Sequence, residues 1–132
     1  MRNAKLWIAL IALMIAGACL YSASAEIIAS GDCGAPGDHI QWTLDGDGLL
    51  AIAGTGKMAE YESDAESAAP WQGYHANIRS AVIEEGVTSI GTLAFEDCEN
   101  LVRIELPDGI TSIGRAAFSG CIRLTDIIFP TA

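Results

Sequence analysis

The chain has 132 residues, which is enough for one small domain. Its 7 basic and 17 acidic residues give a formal net charge of −10, which opposes binding to nucleic acid or to an anionic membrane surface. Hydrophobic residues make up 51% of the sequence, a fraction inflated by the apolar N-terminus.

The N-terminal segment, Met1–Ala25, has the pattern of a secretory signal peptide. Arg2 and Lys5 precede an apolar run from Leu6 to Leu20, and the small residues Ala23-Ser24-Ala25 follow at the spacing that signal peptidase reads. The run is shorter than the ~20 residues that a membrane-spanning helix needs. The pattern predicts cleavage after Ala25, a secreted or cell-surface protein, and no membrane insertion after cleavage. A membrane anchor is the alternative.

Cys19 offers a second route to the cell surface. Ala16-Gly17-Ala18-Cys19 resembles the bacterial lipobox, whose cysteine is lipidated after cleavage. A lipid anchor at Cys19 is therefore the alternative to release. Cleavage after Ala25 removes two basic residues and no acid, so the exported chain has 5 basic and 17 acidic residues and a net charge of −12.

Residues 26–77 are predicted to form a β-rich cap followed by an acidic connector. Glycines and Pro36 make residues 26–38 an irregular entry segment. Apolar and polar residues alternate over 39–44, which predicts a half-buried strand, and Leu49–Ala53 returns as its hairpin partner. Asp45-Gly46-Asp47-Gly48 is the turn between them. Gly54-Thr55-Gly56 is predicted to end the second strand.

Two short motifs in the cap resemble ligand-binding loops and do not complete the pattern. Asp45-Gly46-Asp47-Gly48 has spaced carboxylates but lacks the further oxygen ligand and the distal glutamate of a calcium loop. Gly54-Thr55-Gly56-Lys57 lacks the first glycine of a phosphate loop, and Met58 replaces its hydroxyl residue. A hairpin turn and a strand end are the predicted roles.

The connector, residues 57–77, begins with an acidic run and ends with aromatic residues. Glu60, Glu62, Asp64 and Glu66 are predicted to form a solvated loop. Trp71 and Tyr74 follow Pro70 and form either a lid on the first repeat or a binding patch. The lid is the prediction, because large rings are needed to build the core of a small domain.

Residues 78–132 contain a 23-residue repeat. The copy at 78–100 aligns with the copy at 101–123, and a third copy begins at Leu124 and reaches one strand. The residues of the first copy that recur at the equivalent positions of the second are Gly86, Thr88, Ser89, Ile90, Gly91, Ala94, Phe95 and Cys98. Such a repeat predicts a solenoid, in which neighbouring copies stack and bury the apolar residues that one copy cannot bury alone.

Each copy is predicted to hold two short extended segments and one helical turn, which makes the fold class mixed β/α. In the second copy, the first strand spans 101–106 and the helical turn spans Arg115–Gly120. Phe95 and Phe118 are expected to be neighbours in an aromatic ladder, and truncating either to alanine to cost about 3–5 kcal/mol if it is buried. The predicted core residues are Ile90, Phe95, Cys98, Leu101, Ile104, Leu106, Ile113, Phe118 and Cys121.

Cleavage after Ala25 leaves the three cysteines Cys33, Cys98 and Cys121. Export permits disulfides, and an odd number leaves at least one thiol free or paired between chains. Cys98 and Cys121 occupy equivalent repeat positions, so a disulfide between adjacent copies is sterically feasible. The alternative, which we predict, is that both are small buried residues.

The repeats resemble a known family. The segments Leu101–Pro107, Ile110–Gly114 and Ala117–Cys121 are similar to the BspA-like leucine-rich repeat, and parts of residues 33–71 resemble the segment that often precedes such repeats. The resemblance implies a short exported leucine-rich-repeat solenoid with strands on one face, capped by the N-terminal hairpin region. It also implies adhesion or protein binding at the cell surface and no catalytic residues.

The sequence does not predict an enzyme, a cofactor or a metal site. His39 and His75 lie in unrelated segments without a neighbouring ligand residue at metal-binding spacing. Glu84-Glu85 and Glu96-Asp97 are expected on solvated rims, because a catalytic pair needs an enclosed pocket. No nucleophile-elbow pattern is present.

Two functions remain as alternatives. The first is a binding module whose ligand, a protein or a glycan, contacts residues that point off the strands: Arg79, Val102, Arg103, Glu105 and Thr125. The second is structural, with the chain as the N-terminal cap and first repeats of a longer, truncated protein. In either case Ile127, Ile128 and Phe129 are predicted to form an open edge that allows self-association.

Overall fold

The computed structural model describes residues 25–129. The signal peptide predicted over residues 1–25, apart from Ala25, and the lipobox at Cys19 lie outside the described residues. Within 25–129, no helix combines the length and the apolar character needed to cross a bilayer.

Strands make up most of the regular structure of the described chain. One 3-10 helix spans Gln72–Asn77. Eight strands make up the rest of the regular structure: β1 (Ile27–Asp32), β2 (His39–Asp45), β3 (Leu49–Lys57), β4 (Ser80–Ile83), β5 (Val87–Ile90), β6 (Arg103–Glu105), β7 (Ser112–Ile113) and β8 (Asp126–Ile128).

One sheet runs from the cap through the repeats in the order β1-β2-β3-β4-β6-β8. The first three strands are antiparallel neighbours, and β3, β4, β6 and β8 are parallel neighbours. Equivalent repeat residues pair directly, as in the row formed by Ser80, Arg103 and Asp126. Residues that are 23 positions apart in the sequence therefore lie opposite each other on adjacent parallel strands.

Strand β3 connects the cap to both halves of the first repeat. Its first residues pair with β4, starting with Leu49 opposite Ser80, and its last residues pair with β5, with Gly56 opposite Val87. The prediction that Gly54-Thr55-Gly56 ends this strand is wrong. Gly54 (φ 143°) and Gly56 (φ 110°) let the strand bend and continue, in conformations that residues with a side chain rarely adopt.

The entry segment predicted as irregular contains β1, so this prediction is also wrong. Residues 27–32 pair with Gln41–Asp45 of β2, with a register shift between Ile27 and Ala29. Gly31, counted as a breaker, lies against the indole of Trp42, where an added Cβ would be 3.0 Å from Nε1. A glycine in an edge strand here permits close packing over a large ring.

The turn between β2 and β3 is held by the carboxylate of Asp45. Its Oδ1 accepts hydrogen bonds from the backbone N–H groups of Asp47 (2.9 Å) and Leu49 (3.0 Å). Gly48, at φ 88°, completes the turn. These bonds give the Asp45 carboxylate a role in the turn, as the sequence predicted.

The helical turn predicted over Arg115–Gly120 is not a helix, and the described residues contain no α-helix. Successive hydrogen-bonded turns replace it, with Ala117 N–H donating to Gly114 O and Ser119 N–H to Ala116 O. Ala116 has φ 54°, and its equivalent Leu93 has φ 58°. A left-handed residue stops a right-handed helix from propagating, which is why the mixed β/α prediction is replaced by a repeat fold of strands and turns.

An aromatic ladder runs through the core. The Phe95 and Phe118 rings are stacked with centroids 5.4 Å apart, and Trp71 stacks on the other side of Phe95 at 5.7 Å. Trp71 is fully buried and donates from Nε1 to the Ala94 carbonyl at 2.7 Å. Trp71 thus covers the first repeat as the lid prediction required, while Tyr74 is 37% exposed.

The predicted core residues differ in burial from one repeat to the next. Ile113, which was predicted to be core, is 48% exposed, because within residues 25–129 no strand lies on the outer side of β7. Phe118 and Cys121 are partly buried and pack against the core. The remaining six are buried: Ile90, Phe95, Cys98, Leu101, Ile104 and Leu106.

Candidate binding surface

Three of the five residues predicted to bind a partner form a row. Arg79, Val102 and Thr125 each precede the first strand of their repeat. Val102 N–H donates to Arg79 O (2.9 Å), and Thr125 N–H donates to Val102 O (3.0 Å). All three are exposed, and Val102 presents 43% of its area to solvent although it is apolar.

The other two predicted residues continue this row onto β6. Arg103 and Glu105 lie on the outer side of the strand, on either side of the buried Ile104. Their side chains form an ion pair of 3.4 Å, each about half exposed. An exposed pair of this kind contributes little to stability. We call these five residues, Arg79, Val102, Arg103, Glu105 and Thr125, the strand surface.

The strand surface differs in charge from the rest of the molecule. It carries two arginines and one glutamate, a net charge of +1, whereas residues 26–132 carry −12. Arginine is enriched in protein interfaces, while aspartate and glutamate are depleted there. Whether a partner binds these five residues stays a prediction.

The acidic connector is attached to the first repeat by hydrogen bonds that the sequence did not reveal. Glu60 Oε1 accepts from Thr92 N–H at 2.6 Å, and this bond holds the pKa of Glu60 below its ordinary value. Ser63 Oγ donates to Glu96, 3.3 Å away. Each bond joins the connector to a turn of the first repeat, and no pattern of spacing links the two segments.

A groove of about 430 Å³ separates this connector from the second repeat. Glu60, Glu62 and Ser63 form one wall, and Arg115 and Ala116 lie on the opposite side. The groove is open to solvent, and the side chains of Glu60, Glu62, Ser63 and Arg115 are exposed. The groove brings the carboxylates of Glu60 and Glu62 near the guanidinium of Arg115 but encloses none of these side chains. It is therefore a surface cleft.

The two histidines have different neighbours in the fold. His39 lines an open groove of about 470 Å³ beside Asp32 and Asp38. His75 Nδ1 lies 3.0 Å from the Asp97 carbonyl. Among residues 25–129, no three histidine, cysteine or acidic side chains are grouped so that they could hold a metal ion.

The three cysteines among residues 25–129, Cys33, Cys98 and Cys121, are free thiols in the structure. Burial, reinforced by the Asp32 carboxylate, raises the pKa of Cys33 to about 12. Burial, with Cys121 and Asp97 nearby, raises the pKa of Cys98 to about 12 as well. Cys121 is half-buried, and its Sγ donates to Phe95 O at 3.0 Å. Thiols that stay protonated at neutral pH are poor nucleophiles, so Cys33 and Cys98 are packing residues.

The raised pKa values of Cys33 and Cys98 predict that the protein is less stable at alkaline pH. The unfolded chain releases the two protons near the ordinary pKa of 9.0, whereas the folded chain retains them up to about pH 12. The unfolded state therefore binds fewer protons between these values, and the free energy of unfolding falls as the pH rises from about 9 to 12. Burial raises the pKa of Tyr61 too, which adds to the fall.

Urea unfolding at a series of pH values, in the presence of a reductant, measures this dependence. A Cys33→Ala variant serves as the control, because it removes one of the two thiols and makes the fall shallower. A free energy of unfolding that is constant or rises above pH 9 would contradict the assignment.

Comparisons with known proteins agree with this fold. Residues 73–132 match the family model described as "BspA type Leucine rich repeat region (6 copies)". Residues 73–132 are a BspA-type leucine-rich repeat region. A search of the curated proteins gives no match.

A solved leucine-rich repeat protein from Eubacterium ventriosum is similar to the chain in structure. The two share 32% sequence identity and a TM-score of 0.66, over 76% of this chain and 26% of that protein. Because the repeat region makes up less than half of this chain, the match includes residues of the N-terminal cap as well. The chain spans about a quarter of the length of that relative.

Proposed function

We propose that the chain is a non-catalytic, exported module that binds a protein through the strand surface. The observation that carries the proposal is a row of exposed residues, Arg79, Val102 and Thr125, which occupy equivalent positions of successive repeats just before the parallel strands. The parallel register fixes these side chains on a rigid sheet, which lowers the entropy lost on binding.

The composition of the strand surface favours one kind of partner. Arg79 and Arg103 can pair with carboxylates, and Val102 between them can enter a small apolar depression. The acidic remainder of the chain repels an acidic partner that approaches elsewhere, which directs such a partner to this surface. The proposed ligand is therefore a protein with an acidic patch around an apolar spot. A glycan is the alternative.

Charge reversal on the strand surface tests this proposal. The chain is screened against an array of purified extracellular proteins, and each hit is then measured by surface plasmon resonance. In the double variant Arg79→Glu and Arg103→Glu, we expect the affinity to fall at least about tenfold, or ~1.4 kcal/mol, because two charged contacts are reversed.

The matched control is the double variant Arg115→Glu and Arg123→Glu, which makes the same charge change at exposed arginines outside the strand surface. Binding that survives in the control and is lost in the strand-surface variant supports the proposal. Equal losses in both variants, or no bound protein on the array, would count against it.

Export is the second element of the proposal, and the mature N-terminus tests it. A product beginning at Glu26 supports secretion, and a lipidated Cys19 supports attachment to a membrane surface. An unprocessed chain that stays in the cytoplasm would contradict both.

A structural role in a longer protein is the second candidate function. It is supported by the 26% of the solved relative that the chain covers and by the exposed apolar residues of its last repeat. In this case residues 26–77 cap the first repeats of a longer array. The downstream reading frame decides, because further repeats encoded after Ala132 support this role and an immediate stop codon excludes it.

A further inference from the structure

The row that begins the strand surface starts one residue earlier than the repeats, at Gly48 of the cap. Arg79 N–H donates to Gly48 O at 2.8 Å, in the same way as Val102 N–H donates to Arg79 O and Thr125 N–H donates to Val102 O. The parallel pairing of β3 with β4 continues this register. Gly48 therefore occupies in the cap the position that Arg79 occupies in the first repeat.

The side chain of Arg79 lies across this glycine. A Cβ added to Gly48 would be 2.9 Å from Cγ and 3.1 Å from Cδ of Arg79. Gly48 is buried, with these methylene groups among the atoms that cover it, whereas Arg79 is exposed. An arginine in this arrangement packs its methylene groups on the protein surface and keeps its guanidinium in water.

The turn beneath Arg79 is held by hydrogen bonds of its own. Gly48 N–H donates to Asp45 O at 3.1 Å, and the buried Asp45 carboxylate accepts from Leu49 N–H at 3.0 Å. The methylene groups of Arg79 therefore rest on a fixed segment of backbone. Part of the rotamer freedom of this side chain is already lost on folding, which lowers the entropy that binding has to overcome.

The two arginines of the strand surface differ in their charged neighbours. Among residues 25–129, the one ion pair joins Arg103 to Glu105, and Arg79 has none. A carboxylate of a partner that approaches Arg103 competes with Glu105, whereas at Arg79 it meets no such competitor. A guanidinium without a partner can offer a carboxylate two parallel hydrogen bonds, which is the strong form of this contact.

We propose that Arg79, positioned by Gly48, is the main anchor of the strand surface and binds a carboxylate of the acidic partner at the junction of cap and repeats. This inference rests on the proposed function, because it specifies which contact supplies most of the binding energy. Interfaces concentrate that energy in a few side chains, among which arginine is frequent. Arg103 is then a secondary contact, and Gly48 acts only through Arg79.

A nuclear magnetic resonance titration tests the proposal with 15N-labelled protein from expression of the full 132-residue sequence. The probe is the capped peptide acetyl-Glu-Glu-Leu-Glu-Glu-amide, which surrounds one apolar side chain with carboxylates. We expect a saturable shift of the Nε–Hε signal of Arg79 and none at Arg115 or Arg123, which lie outside the strand surface. Before the peptide is added, the heteronuclear Overhauser effect should show less fast motion at Arg79 Nε than at Arg103 Nε.

Two matched alanine variants rank the arginines. Arg79→Ala should raise the dissociation constant of the peptide at least about tenfold, and Arg103→Ala, which removes the same charge, less than about threefold. Arg79→Lys keeps the charge but loses the planar fork, so it should restore the affinity only in part. Circular dichroism shows that each variant is folded.

A double-mutant cycle tests the positioning role of Gly48. Gly48→Ala should weaken peptide binding in the natural sequence, because its Cβ displaces the Arg79 side chain, and should have no further effect in the Arg79→Ala background. A glycine that only maintains the fold would give the same loss in both backgrounds. If Gly48→Ala does not fold, since φ 88° is unfavourable for alanine, the comparison of Arg79→Ala with Arg103→Ala still decides which arginine is the anchor.

The outcomes separate this inference from the proposed function. A greater loss in Arg79→Ala than in Arg103→Ala, together with a non-additive effect of Gly48→Ala, supports it. An equal or greater loss in Arg103→Ala, or greater motion at Arg79 Nε, overturns the inference while peptide binding at the strand surface still supports the proposed function. No saturable shift at either Arg79 or Arg103, or equal shifts at Arg115 and Arg123, overturns both.

Discussion

Replacing Phe95 by alanine is expected to lower the free energy of unfolding by about 3–5 kcal/mol. The ring is fully buried and lies between Trp71 and Phe118, with centroid distances of 5.7 and 5.4 Å. Its removal leaves a cavity bounded by two rigid rings, which cannot collapse far. A loss of this size is a large share of the ~5–15 kcal/mol that stabilises an ordinary domain.

The matched variant is Phe118→Ala, at the equivalent position of the next repeat. Phe118 is partly exposed and has an aromatic neighbour on one side, so its truncation should cost at least about 1 kcal/mol less than that of Phe95. Urea unfolding monitored by circular dichroism measures both. Equal losses would mean that the ladder is covered equally at both positions, contrary to the structure.

Trp71→Ala is expected to be as severe, with a loss of about 3–5 kcal/mol or no folded protein. The indole fills the space between the cap and the first repeat and contacts Trp42 and Tyr61 edge to ring. It also donates to the Ala94 carbonyl, which loses this partner when the ring is removed.

Two further variants separate packing from hydrogen bonding at this position. Trp71→Phe keeps a ring and removes the donor, so it should retain most of the stability. Tyr74→Ala, at a side chain that is 37% exposed, should cost less than about 1 kcal/mol. Chemical unfolding of the three variants gives the order. A Trp71→Ala protein as stable as Tyr74→Ala would show that Trp71 does not connect the cap to the repeats.

The features that the sequence predicted are those with a period. The 23-residue repeat predicted that Phe95 and Phe118 are neighbours, and alternation predicted the β2–β3 hairpin, because both patterns follow directly from the geometry of stacking and of the pleat. The strand surface lies on adjacent strands for the same reason, since Arg79, Val102 and Thr125 occupy equivalent positions of successive repeats.

The features that it missed depend on backbone conformation or on distant pairing. Leu93 and Ala116 have positive φ angles, which replace the helix by turns. Because neither residue is glycine, the sequence does not indicate this conformation. Strand β1 contains a glycine that packs on Trp42, and a glycine in sequence is read as a break. The bond from Thr92 to Glu60 joins a loop to a turn without any shared pattern. Ile113 was assigned to the core because its equivalent in the first repeat, Ile90, fits a buried position. The repeat pattern does not show that Ile113 itself is not covered within residues 25–129.

The pairing of β3 with both β4 and β5 bears on the order in which the chain can fold. The β2–β3 hairpin closes a short turn, whereas Leu49 meets Ser80 and each later repeat strand meets the equivalent strand one full repeat away. Closing a longer loop costs more entropy, so the hairpin is the segment that can form first. Once formed, β3 offers a template to both strands of the first repeat. We therefore expect the repeats to add in the direction of synthesis, each one pairing with the repeat that formed before it.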